Sequence, residues 1–133
     1  MASEQAHLLK AEQTRRFLET LGDEFPDWLV IAAFYRAVHL VEALYSRHNV
    51  HSTKHNERNR RLKTEFPEIW VEFKPLYDVS RFVRYSERSV SAREARGELI
   101  EKRLAAVEKL VGIRLAPPAP APMPPQRPRP TKP

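Results

Sequence analysis

Residues 48–63 read HNVHSTKHNERNRRLK, three histidines ahead of an Arg-Asn-Arg-Arg run. Two chemistries are open to such a set. Imidazole exchanges protons near neutral pH and guanidinium neutralises phosphate, so a His–Arg group can serve acid–base cleavage of RNA. Closely spaced cations can equally hold a phosphate backbone without cutting it. If the segment after Ser52 is helical, His55, Arg58, Asn59 and Leu62 share one face at i, i+3, i+4 and i+7. His51 lies one turn earlier. A cleavage site would draw on His51 or His55 as base, with Arg58 as phosphate clamp and Asn59 beside it. A binding surface would draw on Lys54, Arg58, Arg60, Arg61 and Lys63. His48, His51 and His55 are also metal-type ligands, but no cysteine and no positioned carboxylate completes the set, and the cations around them would repel a divalent ion. Neither a metal nor a cofactor is expected.

Further polar groups lie on other segments. Arg36, His39 and Glu42 are the strongly polar residues of the most apolar stretch, WLVIAAFYRAVHLVEALY. Buried ionisable groups need partners, so they are read either as an internal network, with His39 on Glu42 or Tyr35, or as the floor of a polar pocket that Asp78 would join. Arg58 is expected to pair with Asp78 or Glu42 if it is not used for binding. In YDVSRFVRY, Tyr77, Asp78, Arg81 and Tyr85 share a helical face. Arg81 with Tyr85 could stack on and clamp a nucleotide, or Asp78 and Arg81 could form an ordinary intrahelical pair.

The elements that position these groups read as helices throughout. The chain has 133 residues, 41% of them hydrophobic and 30% charged, with only three glycines, and no segment alternates as a strand does. A first helix is expected over residues 3–21, with Ser3 as N-cap and Gly22 as the residue after its end. A second covers 28–46, capped by Asp23 or Asp27 and apolar on most sides. A short polar helix over 54–65 is capped by Ser52 or Thr53. A fourth covers 68–85, with Pro75 kinking it or splitting it after Phe73. A fifth covers 92–111 and stops at Gly112. The expected fold is an all-α, up-and-down bundle of about five helices over residues 1–114. Residues 115–133 hold nine of the twelve prolines and are read as a disordered basic tail of polyproline II character. The PPQRPRP end is similar to ligands of aromatic-grooved domains, although a spacer or basic arm is the plainer reading.

Net charge is +6, of which Arg127, Arg129 and Lys132 supply three, so the body carries +3. Basicity is thus focused in the tail and around residues 47–63, a distribution that suits phosphate polymers or a solvated helix face. The N-terminus lacks the apolar run of a secretory signal, and the apolar stretch is broken by charges. A cytoplasmic protein without membrane partners is expected.

The order AEQTRRFLETL, DWLVIAAFYRAVHLVEALYSRHNVHS, HNERNRRL, YDVSRFVRY resembles small stand-alone prokaryotic HEPN proteins over roughly residues 8–86. That resemblance implies a helical bundle, often a homodimer, with a polar site beside the start of the third helix. It also implies either a metal-independent ribonuclease, often a toxin or defence protein, or a non-catalytic binding or antitoxin-like partner. Ribonuclease members carry an Arg, often followed by Asn, and then a His after four to six further residues. Here Arg58-Asn59 matches the first half, but positions 60–65 hold no His, and the last histidine of the chain is His55. The reading is therefore a HEPN-like module that binds RNA, a nucleotide or a cognate protein through its basic third helix. A ribonuclease using His51 or His55 with Arg58 is the alternative, and a dimerising partner a second one.

Overall fold

The computed structural model describes residues 3–52 and 54–116. The expected tail from residue 117 onward, and Thr53 as a possible cap, lie outside the described residues. Among those described, every regular element is helical: α1 (Glu4–Thr20), α2 (Pro26–Arg47), α3 (His55–Glu65), α4 (Pro67–Tyr85), and a last rod formed by a π-helical segment (Glu94–Leu104) continuing into α5 (Ala105–Leu115).

Helix α1 starts where the sequence marks it, with the Ser3 hydroxyl accepting from the Ala6 N–H at 3.1 Å. It ends just before Gly22 as expected, at Thr20 with Leu21 as the C-cap, but without the left-handed glycine closure. Leu21 turns to an extended conformation, so Gly22 follows the helix end without using a left-handed backbone. Helix α2 opens on Pro26 at its first turn, whose missing N–H is no loss there. Neither expected aspartate caps it. Asp27 instead accepts from Ser89 Oγ at 3.0 Å and from Val90 N at 3.1 Å, and Asp23 pairs with Arg96, so the two carboxylates pin the connection after α4 and the start of the last rod to the α1–α2 corner. At the other end Asn49 takes φ 57°, Val50 N–H reaches back to Tyr45 O at 2.9 Å and Asn49 N–H to Ser46 O at 3.1 Å. That is a Schellman closure, and Asn is among the few side chains that tolerate its left-handed residue.

Helix α2 is the axis of the bundle. Leu29, Phe34, Val41, Leu44 and Tyr45 are buried along it, against Phe73 and Leu76 of α4 and Leu99, Leu104 and Val107 of the last rod. It is long and apolar enough to span a bilayer, yet 72% of its most apolar window is buried within the bundle. The other side of α2 is covered by α1, while α3 packs against α4 and reaches α2 by side chains.

The split at Pro75 and the stop at Gly112 do not occur, for physical reasons. Pro75 does not split α4, which runs unbroken from Pro67 to Tyr85. The bond Pro75 cannot donate would have gone to the carbonyl of Val71, an exposed residue where water can replace it, while Phe73 and Leu76 hold the helix to the core. Nor does the last helix stop at Gly112; it continues to Leu115. Its π-helical winding follows from the buried positions Ala95, Leu99 and Leu104, spaced by four and then five. An α-helix would turn Leu104 away from the face that buries Ala95, and the wider i→i+5 turn brings it back.

Candidate nucleic-acid interface

The segment 48–63 divides into an inner and an outer face. On the inner face Arg58 is 7% exposed, and its Nε–H donates to Glu42 Oε1 of α2 at 2.6 Å. Its Nη1 lies 2.7 Å from His55 Nδ1. A guanidinium only donates, so Nδ1 must accept, which makes His55 the neutral tautomer with its proton on Nε2. Its ring packs 5.8 Å from Phe34 and 6.0 Å from Tyr77. Burial, and after it the charges of Arg58 and Arg84, hold its pKa below the ordinary value. The Tyr45 hydroxyl donates to the Arg58 carbonyl at 2.8 Å, and burial pushes the phenol's pKa up, keeping it a donor. Of the two acids named as partners for Arg58, Glu42 holds it. Asp78 is exposed and bonds Lys74 Nζ at 2.6 Å. Asn59 is half-buried, with an Oδ1 that finds no hydrogen-bond partner among the described residues.

A second polar cluster lies on the α1 side of α2. His7 and His39 meet Nδ1 to Nδ1 at 3.2 Å, a contact in which one nitrogen donates and the other accepts. Burial lowers both pKa values. Nearby Arg58 and His51 lower that of His7 further, against the raising effect of Glu42. His39 thus bonds neither Glu42 nor Tyr35, the partners expected of it. Arg36 points elsewhere again, donating to Ala11 O at 2.8 Å with Glu108 at 3.4 Å. Arg36, His39, Glu42 and Asp78 therefore do not form one pocket. Among the described residues, no three His, Asp or Glu side chains converge in a way that could hold a metal ion.

The outer face is the basic one. Lys54, Arg60 and Lys63 are exposed and have no ion-pair partner among the described residues; Arg61 bonds Glu65 Oε1 at 3.0 Å. Beside them lies a cavity of about 500 Å³ bounded by His51 and Ser52 on the connection and by Glu57, Arg60 and Arg61 on the helix. A neighbouring recess of about 320 Å³ is framed by Lys54, Asn56 and Arg60. On α4, Arg81 and Tyr85 are both exposed, but it is Arg84 whose guanidinium lies over the Tyr85 ring, at 5.1 Å, and over the Phe34 ring, at 5.6 Å.

Residue-level reading missed His7, Tyr45 and Arg84. Arg84 carries a signal, since it follows Tyr77 by seven residues and so shares its face. Tyr45 falls on α2 three residues after Glu42, on the same side. His7 gives no local signal, because its partner is 32 residues away. No protein-family model, curated protein or solved structure matches the chain.

Proposed function

We propose that this chain is a HEPN-like helical module that binds RNA through its phosphates, on the outer face of α3, and does not cleave it. One observation carries the reading. The arginine that would have to clamp a scissile phosphate, Arg58, is buried and neutralised by Glu42, while Lys54, Arg60 and Lys63 remain exposed and unpaired among the described residues. An internal carboxylate at 2.6 Å competes with any phosphate for Arg58, and the His55 nitrogen nearest to it is occupied by the guanidinium. The outer cations meet none of these obstacles. Arg60 lines both open recesses and Lys54 one of them, beside the Glu57 carboxylate, while Lys63 stands exposed outside them; at these side chains phosphate replaces counterions without displacing an ion-pair partner. A role in a toxin–antitoxin or defence setting belongs to the same proposal and rests on the resemblance alone.

The test is binding of a labelled single-stranded RNA over a salt series, in EDTA, with the native chain and with K54Q/R60Q/K63Q. If the three side chains each neutralise one phosphate, the log–log salt slope falls by about two, and affinity at low salt drops by tenfold or more. The RNA should remain intact throughout. Absence of binding at low salt, or an unchanged slope in the variant, would overturn the interface. Cleavage that disappears in both H55A and R58A would replace it with the ribonuclease reading.

A further inference from the structure

Between α1 and α2, on the surface away from the last rod, runs a groove of about 370 Å³ lined by Phe17, Trp28 and Tyr35 over a floor of Ile31 and Ala32. The three rings are 51%, 55% and 43% exposed, a concentration of large aromatic surface in water that scattered single residues do not produce. The tryptophan indole, the tyrosine hydroxyl and the Gln13 amide at the rim make no hydrogen bond among the described residues. Rings with free donors between them are the recognition chemistry of a polyproline II strand, whose prolines lie against aromatic plates while its unbonded carbonyls accept.

We propose that this groove is occupied by the Pro-rich segment of the same chain, residues 117–133. The spacing fits. Trp28 and Tyr35 stand seven residues apart on one helix, about 10 Å along its axis. A polyproline II strand repeats every three residues, about 9 Å. Pro122, Pro125 and Pro128 recur at that interval and so present one face. The length fits as well. The described chain ends beside the C-terminus of α2, where Arg47 Nη1 donates to Leu115 O at 2.5 Å. From Arg47 to Trp28 is about 28 Å along α2. Residues 117–133 in polyproline II form span about 53 Å, enough to pass the start of α1 and lie along the groove. Charge sets the direction. Glu24, exposed and without an ion-pair partner among the described residues, follows α1 beyond the Phe17–Trp28 end, with Lys10 and His39 at the other; Glu19 is held by Arg15. Arg129 and Lys132 follow the threefold prolines and Arg127 stands just before the last of them, so the three cations meet the acidic end, while the uncharged run 117–126 passes the basic one. Tethering raises the effective concentration of the ligand into the millimolar range, so even a weak polyproline contact is populated in one molecule.

Because the chain contains no cysteine, Gln126→Cys gives a single site for a nitroxide on the full-length protein. Tail docking predicts loss of the Trp28 indole and Tyr35 amide signals in the spin-labelled chain, restored on reduction of the nitroxide. It predicts no loss in a dilute mixture of isotope-labelled chains without nitroxide and nitroxide-bearing chains without isotope. It also predicts recovery of both signals when Pro122, Pro125 and Pro128 are together replaced by glycine, which leaves the tail charges in place. Undiminished signals in the spin-labelled chain would overturn the proposal. Broadening that appears in the mixture would assign the groove to the tail of a second copy. Broadening that survives the glycine substitutions would make the contact electrostatic, without polyproline recognition.

Discussion

The neighbours on either side of the polar stripe of α2 hold its ionisable groups by opposite means. Toward α3, Glu42 and Arg58 are charges of opposite sign in a nearly dry contact, and each stabilises the other only while both are charged. Toward α1, His7 and His39 are two bases whose 3.2 Å contact needs at least one of them neutral, since two imidazolium rings would bring only donors and like charges to it. One layer is therefore built on ionisation and the other on its avoidance, within a turn of each other on the same helix. Helix positions alone do not distinguish them. What decides the state is the neighbour across the gap: a guanidinium from α3, an imidazole from α1.

The sharpest way to break the first layer is to remove one charge. Glu42→Gln leaves the Arg58 guanidinium buried without its counter-charge, and the expected loss is about 3–5 kcal/mol of unfolding free energy. Arg58→Met produces a comparable loss by stranding the carboxylate. The pair Glu42→Leu with Arg58→Met should recover most of it, because an apolar contact replaces the ion pair without stranding either group. Urea denaturation of the four proteins measures this. Single variants close to the native chain would mean that the pair is solvated in solution and that Arg58 is free to meet a phosphate.

The second layer breaks with acid. His7, His39 and His55 all have pKa values lowered from the ordinary 6.5, so the folded chain binds fewer protons than the unfolded one as pH falls. Stability is therefore complete above about pH 6.5 and is lost as pH falls through the depressed folded-state values. His39→Gln keeps a group that can donate to or accept from His7 but cannot take a charge, and should flatten this decline. His55→Gln should remove a separate share, since a proton on Nδ1 of His55 would face the Arg58 guanidinium. The effect is smaller than that of Glu42→Gln, because both rings of the His pair are only half-buried and water relaxes their repulsion. Unfolding curves at stepped pH read it. An unchanged slope in His39→Gln would show that the contact plays no part.

Some of this contrast could be read before any coordinates. Glu42 is one of two acids open to Arg58, and choosing between them needs the placement of α3 by α4 so that Arg58 reaches α2, which no local pattern encodes. The helices announced themselves where the signal is chemical: Ser3 caps α1, and Phe66-Pro67 separates α3 from α4. Sequence pattern and structure part where a local rule competes with packing. Pro75 and Gly112 are helix breakers by propensity, yet core contacts from Phe73, Leu76 and Val111 outweigh them. The π-helical turn was written in the intervals between Ala95, Leu99 and Leu104, and a template of α-helical spacing passes over it. The His7–His39 pair had no trace in sequence, because two lone histidines on separate helices look like any others.

The smallest expected effect isolates what burial contributes. Arg61 follows Arg58 by three residues on α3 and also pairs with a carboxylate, Glu65 Oε1 at 3.0 Å. Both partners there are more than a third exposed, so water screens the attraction, and fixing two long side chains costs entropy. Arg61→Ala should lower stability by about 0.3–0.5 kcal/mol, most of it absent in high salt. Arg58 and Arg61 thus offer the same side chain, the same helix and the same type of partner, with roughly a tenfold difference in consequence. If Arg61→Ala were as damaging as Arg58→Met, depth would not be what separates the two faces of α3. The assignment of the outer face to solvent and phosphate would then fail with it.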